Sequence, residues 1–255
     1  MELVQCYFTF WLVLLGAVMG SFLDCAAARG KLPTGRSRCD SCGQTLGPKD
    51  LIPIFSYLLC RGRCRYCGSR IPARCLGTEL AGALVFGALV WKFGLELELV
   101  MQLILGSLLL LLALIDCTSH TLPDKLLLTA GVNRLVFLFL LQQPLKETCV
   151  HMVIGAFSVS LPLLVLSLVM DHLLQKETMG GGDIKLLFVL GLYRNWTEMV
   201  LLLFIGCVLA LAWSFATGKG RSPKGIPFGP FLSAAWLIVT LFGTSWIQWY
   251  QSLLT

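Results

Sequence analysis

Three aspartates stand at the ends of apolar runs. Asp116 closes one in LLALIDCTSHTLPD, Asp124 follows eight residues later, and Asp183 sits in MGGGDIKLL. An ionised carboxylate inside such a run costs about 3 kcal/mol on insertion scales, so each is a functional candidate. Asp24, Glu79 and Asp171 share that kind of position. Two carboxylates brought together in a partly dry site do not both ionise readily. One keeps a proton while the other acts as base toward a shared water. The base takes a proton from the water, and the protonated partner hydrogen-bonds a scissile carbonyl and later assists departure of the amine. Gly180, Gly181 and Gly182 before Asp183 suit that chemistry, because residues without side chains let a substrate backbone come close and free the chain to turn into a helix. Each acid also has a structural reading: Asp183 as a helix N-cap, Asp124 as an N-cap after Pro123, and Asp116 as a solvated helix end.

A second group of residues has metal-ligand spacing. Cys39 and Cys42 in CDSCG, and Cys64 and Cys67 in CRYCGS, form two CxxC pairs with twenty-one residues between them. A two-residue gap lets both thiolates face one ion, and Gly43 and Gly68 permit the tight turn that brings backbone amides to the sulfurs. Two such knuckles make a tetrahedral four-sulfur site of the zinc-ribbon kind. Four protein ligands leave no position for water, which assigns Zn2+ a structural role. A loop with so few large apolar residues gains from the ion the folding energy its core lacks. Disulfide exchange and iron–sulfur binding are the alternatives. The chain's eleven cysteines are an odd number, which argues against a complete disulfide framework, and the other seven read as ordinary buried or membrane-facing cysteines.

The elements that must hold these residues follow from composition. Of 255 residues, 56% are apolar and 13% charged, against about 25% charged in soluble domains. With about 20 residues per span, eight spans leave only a little over a third of the chain for loops and no room for a large soluble enzyme domain. The expected fold is an all-α polytopic membrane protein of about eight transmembrane helices. Its apolar segments are Val4–Leu23, Leu80–Trp91, Leu97–Ile115, Leu126–Leu141, Val150–Met170, Ile184–Leu192, Met199–Ala216 and Phe228–Trp246. The first lacks a basic leader and a cleavage site and reads as a span, not a signal. The sixth is short and follows three glycines, as a broken or re-entrant span would. Gly16 and Gly20 form a small-xxx-small pair suited to close helix packing. The chain is expected to divide into a first helix at 1–24, a cysteine loop at 25–78, and a helical core at 79–255.

Charge orients these segments. Ten of the twenty Lys and Arg lie between Arg29 and Arg74. With eight spans, the loops on that side hold sixteen, including Lys125, Lys176, Lys185, Lys219, Arg221 and Lys224. The other side holds Lys92, Lys146 and Arg194, while Arg134 falls within a span. The positive-inside bias puts the cysteine loop in the cytoplasm beside anionic lipid, both termini outside, and Asp116, Asp124 and Asp183 at one membrane face. That placement disfavours stable disulfides. No recognition helix or aromatic-interleaved basic repeat accompanies the charges, so nucleic-acid binding is not expected.

The motifs, taken in order, resemble the type IV prepilin peptidases, bacterial inner-membrane aspartic leader peptidases. The match runs through GSFLDCAAARGKLP (20–33), the two knuckles, IPIFSYL (52–58), SRIPARCLGTEL (69–80), IDCTSHTLPDKL (115–126), GGGDIKLL (180–187) and IPFGPFL (226–232). The resemblance implies Asp116 and Asp183 as the catalytic pair, Gly180, Gly181 and Gly182 at the substrate, and Asp124 and Lys185 in support. It implies cleavage of prepilins or type II secretion pseudopilins after a glycine, on the cytoplasmic side of the inner membrane, with the substrate's apolar helix still in the bilayer. Many members also methylate the new N-terminus from S-adenosylmethionine. Asp24-Cys25-Ala26, where many relatives carry Asn-Val-Val, and the expanded Arg29–Pro33 bear on that transferase activity rather than on the peptidase.

Two readings from other classes compete. A transporter also uses broken helices and intramembrane acids, but near the bilayer midplane and often with repeat symmetry, and no internal repeat is visible here. A membrane thiol oxidoreductase would place its CxxC pairs on the oxidising side.

Overall fold

The computed structural model describes residues 2–30, 36–175, 179–217 and 226–254. Lys31, Leu32 and Pro33 of the first motif, and Lys176, Lys219, Arg221 and Lys224 of the charge count, lie outside them. Among the described residues the long elements are all helical: α1 (Glu2–Arg29), α2 (Phe55–Leu59), α3 (Ala73–Phe93), α4 (Leu97–Ser119), α5 (Asp124–Leu140), α6 (Leu145–Leu174), α7 (Gly181–Gly191), α8 (Trp196–Thr217), α9 (Gly229–Ile238) and α10 (Thr244–Leu254), the last two joined by a π-helical turn at Val239–Gly243. Their outer surface is apolar, with Phe215 85% and Leu128 69% exposed. Such a surface belongs against lipid, and the chain is a multi-pass membrane protein.

Six helical stretches among the described residues are long and apolar enough to cross a membrane: 5–29, Ala73–Phe93, Leu97–Ser119, Leu145–Leu174, Trp196–Thr217 and Gly229–Leu253. The expected count of about eight spans is therefore not confirmed. At 1.5 Å per residue, the 17 residues of α5 reach about 25 Å and the 11 of α7 about 16 Å, against a hydrocarbon core of about 30 Å. α7 is apolar for another reason. Leu186, Leu187 and Leu190 are wholly buried by protein, while Lys185 on the same helix is exposed.

The chain divides into two compact units, Met1–Leu99 and Val100–Thr255. In the first, α1 and α3 pack face to face through small residues. A Cβ on Gly16 would stand 2.5 Å from the Gly82 carbonyl oxygen, and one on Gly20 would meet the Thr78 carbonyl more closely still. This is the close packing expected of the Gly16 and Gly20 pair. α1 continues past residue 24 to Arg29 and α3 begins at Ala73, so both helices extend into the stretch assigned to the cysteine loop.

In the second unit α7 crosses α6 where Gly155 and Gly191 meet backbone to backbone. Arg134, the base within an apolar segment, is buried. Its Nε donates to the Leu192 carbonyl at 3.1 Å and its Nη2 to Gln143 Oε1 at 3.2 Å, tying α5 to the end of α7. Tyr193 donates its hydroxyl to the Ala130 carbonyl at 2.6 Å at the same junction.

Candidate active site and metal centre

The two cysteine knuckles repeat one local geometry. Cys39 N–H donates to Gln44 O at 3.0 Å and Gly43 N–H to Cys39 O at 2.9 Å; five and four residues on from Cys64, the same bonds recur at 2.8 and 2.9 Å through Ser69 and Gly68. Isolated antiparallel bridges, Arg38 with Thr45 and Arg63 with Arg70, close each turn. Gly43 and Gly68 have φ of +70° and +71°, a left-handed conformation in which glycine alone is unstrained. The four sulfurs all lie within 4.8 Å of one another, and Cys39 Sγ is 3.9 Å from Cys67 Sγ. A tetrahedral site with metal–sulfur bonds of about 2.3 Å has edges of about 3.8 Å, whereas a disulfide would need about 2.05 Å. The Cys42 and Ser41 backbone N–H groups hold the Cys39 thiol down at about 6, and the Ser69 side chain lowers Cys67. Against the lowering effect of the Gln44 backbone N–H, burial and the neighbouring Cys39 and Cys67 thiols push Cys42 the other way, up to about 11, and it is the four-sulfur geometry that fits a four-coordinate metal ion.

Three of the six acids singled out in the sequence are committed to local partners. Asp24, buried near the end of α1, pairs with Arg74 at 2.9 Å. Glu79, buried on α3, accepts the Ile54 N–H at 2.6 Å and so secures the residue that starts α2, itself at φ 65°. Asp171 accepts from Ser167 one turn earlier on α6 at 3.4 Å.

The remaining three meet at one end of the second unit. Asp116 lies in the last turns of α4, 5% exposed, and accepts the Gly229 N–H on Oδ2 at 2.9 Å. It is buried, not a solvated helix end. Asp183 is the third residue of α7. Gly180 occupies the N-cap with ordinary angles of φ −63° and ψ 120°, so Asp183 is no N-cap, and left-handed freedom is not needed there. Asp183 is within electrostatic reach of Asp116. Among the described residues neither carboxylate has an ion-pair partner. Asp124 follows the N-cap Pro123 at the start of α5, and its Oδ1 takes Lys185 Nζ at 2.7 Å, so the two residues expected in support do meet. Their side chains are 72% and 59% exposed, which makes the pair a weak link.

The glycines differ in what surrounds them. A Cβ on Gly182 would touch Leu122 at 3.1 Å, and one on Gly180 would come 3.3 Å from Asp183 Oδ2, while one on Gly181 would meet nothing within 4 Å among the described residues beyond its own helix. Gly229 is the residue sequence reasoning missed as part of the site. It opens α9 ahead of Pro230, and a Cβ there would stand 2.9 Å from Asp116 Oδ2. A Gly-Pro start to a helix was the available signal. Asp116 thus meets the partially positive first turn of α9, and Asp183 lies in the first turn of α7.

Comparison with known proteins places these features in context. Residues 14–93 match the family model described as the bacterial peptidase A24 N-terminal domain, and residues 103–215 match the type IV leader peptidase family. The chain is 30% identical over 250 residues to a prepilin leader peptidase/N-methyltransferase of Bacillus subtilis, covering 94% of this chain and 96% of that protein. Proteins of the same name from Pseudomonas putida and Burkholderia pseudomallei are 34% and 36% identical, covering 81% and 87% of this chain and 72% of each relative. No solved structure matches the chain.

Proposed function

The chain belongs to the type IV leader peptidase family, and from that premise we propose that it is a membrane aspartic endopeptidase that removes the leader of prepilins or pseudopilins. Cleavage follows a glycine on the cytoplasmic side of the bacterial inner membrane. Asp116 and Asp183 form the catalytic dyad. The observation that carries this reading is their meeting at one end of the unit, within electrostatic reach of each other and, among the described residues, without an ion-pair partner, while Asp24 and Asp124 are paired to bases.

The chemistry needs only these groups and water. Gly229 holds Oδ2 of Asp116, leaving its other oxygen for a water shared with Asp183. The ionised member of the dyad takes a proton from that water, and the hydroxide adds to the scissile carbonyl. The protonated member hydrogen-bonds the carbonyl oxygen, and the amine leaves with a proton from the dyad. For such a coupled pair the two protonation steps belong to the dyad as a whole. The open space beside Gly181 admits the substrate backbone.

Zinc is the ion proposed for the four cysteines, because sulfur-only tetrahedral coordination is its usual structural site and it brings no redox chemistry. Methylation of the new N-terminus comes to this chain from the relatives' name, with S-adenosylmethionine as second substrate. Among the described residues there is no strand beyond isolated bridges, so no donor site of the strand–glycine loop–helix kind exists there.

Mass spectrometry of the N-terminus of a co-expressed precursor tests the function directly. The wild-type chain is expected to yield a cut after glycine, and the Asp183→Asn chain an intact leader. An uncut precursor with the wild-type chain correctly inserted would refute the peptidase. A cut but unmethylated N-terminus would refute the transferase alone.

A further inference from the structure

The linker from α4 to α5 is four residues long, His120 to Pro123. At its start His120, with φ 53°, donates its N–H to the Asp116 carbonyl at 2.9 Å. A left-handed residue at this place terminates the helix. The Ser119 and Thr121 hydroxyls share a hydrogen bond of 2.8 Å across the same turn. At the far end Pro123 is the N-cap of α5, its φ of −64° fixed by the ring. Both ends of the linker are therefore constrained, and Leu122 lies between them.

Leu122 is half-buried and occupies the space that Gly182 leaves open on α7. A Cβ on Gly182 would stand 3.1, 3.3 and 3.4 Å from Leu122 Cβ, Cδ1 and Cγ. Gly182 immediately precedes Asp183 in the first turn of α7. The linker thus reaches both acids, through a backbone bond to Asp116 and through an apolar contact beside Asp183. Its other tie to α7, Asp124 with Lys185, lies largely in solvent and holds little. Asp116 is already fixed from α9 by the Gly229 N–H. What then sets the spacing of the pair is where the first turn of α7 sits, and Leu122 packs against that turn.

We propose that Leu122 is a positioning residue for the dyad: seated on the bare face of Gly182, it sets the spacing between the Asp116 and Asp183 carboxylates. The inference rests on the peptidase reading, since the spacing matters to catalysis only if both acids share one water. It gives Gly182 to the packing of the linker and leaves Gly181 as the glycine beside the substrate.

The test measures cleavage of a membrane-anchored precursor by the full-length chain in liposomes, with variants whose melting matches the wild type. Because misplacement by about 1 Å costs about a hundredfold, a shift of a few tenths is expected to lower kcat about five- to tenfold. Gly182→Ala and Leu122→Ala are each expected to show that loss with KM little changed, and Leu122→Met, which conserves volume, to cut at close to the wild-type rate. Since both substitutions disturb one contact, the double variant is expected to lose no more than the worse single. Losses that multiply in the double variant would overturn the proposal. So would a raised KM at unchanged kcat in Gly182→Ala, which would return Gly182 to the substrate. Independently of cleavage, spin labels at Thr118→Cys on α4 and Lys185→Cys on α7, in a chain with its non-ligand cysteines replaced by serine, are expected to give one narrow distance that Leu122→Ala broadens. An unchanged distribution would contradict the proposal too. If the wild-type chain cuts no precursor, the peptidase reading fails, and the spin labels still decide whether Leu122 holds α7 against α4.

Discussion

Gly229 donates its N–H to Asp116 Oδ2 from the first turn of α9, and its lack of a Cβ is what permits the approach. Gly229→Ala would insert a methyl 2.9 Å from that oxygen and push the carboxylate off its position. Misplacement of a reacting group by about 1 Å costs about a hundredfold in rate, so Gly229→Ala is expected to lower kcat by about that factor with a normal melting temperature. A near wild-type kcat would show that the contact does not position Asp116. The Lys185–Asp124 pair behaves differently. Both side chains are mostly in solvent, and Lys185→Ala is expected to change stability by less than about 1 kcal/mol. A larger drop in thermal unfolding would show that the pair holds α5 to α7.

Among the elements, the cysteine knuckles were readable from sequence almost whole, because ligation depends on spacing within six residues and both turns obey the same local bonds. Cys39→Ser with Cys64→Ser is expected to abolish bound metal, measured by elemental analysis, and to destabilise the loop. Structural zinc sites in finger peptides bind with about 10–16 kcal/mol. Purified wild-type protein without metal would contradict the assignment. The close packing of α1 on α3 was also readable, from Gly16 and Gly20. Gly82→Leu, at the same crossing, is expected to cost at least about 1–3 kcal/mol by overpacking, read as loss of folded protein after detergent extraction. What sequence left hidden lies in contacts far apart along the chain. Gly229 meets Asp116 across 113 positions, and no local pattern joins them. The apolar run at Ile184–Leu192 resembles a span by composition, yet Ile184, Leu186, Leu187, Val189 and Leu190 are covered by protein, and hydropathy does not distinguish burial in protein from burial in lipid.

At the scale of the whole molecule, the proposed function ties scarce charge to orientation and catalysis. Sixteen of its twenty bases fall on one side of an eight-span topology, six helices among the described residues are long enough to cross, and the proposed cytoplasmic site depends on which side the basic loops occupy. A reporter cysteine, Lys49→Cys, in a chain with its non-ligand cysteines replaced by serine, is expected to react with an impermeant thiol reagent only after permeabilisation. Labelling in intact cells would invert the topology. The central claim is that Asp116 and Asp183 act as one catalytic unit, and its most direct test is cleavage of a membrane-anchored precursor by purified Asp116→Asn and Asp183→Asn chains whose insertion and melting match the wild type. Each variant is expected to lose all measurable cleavage, and cleavage by either at near the wild-type rate would contradict the dyad.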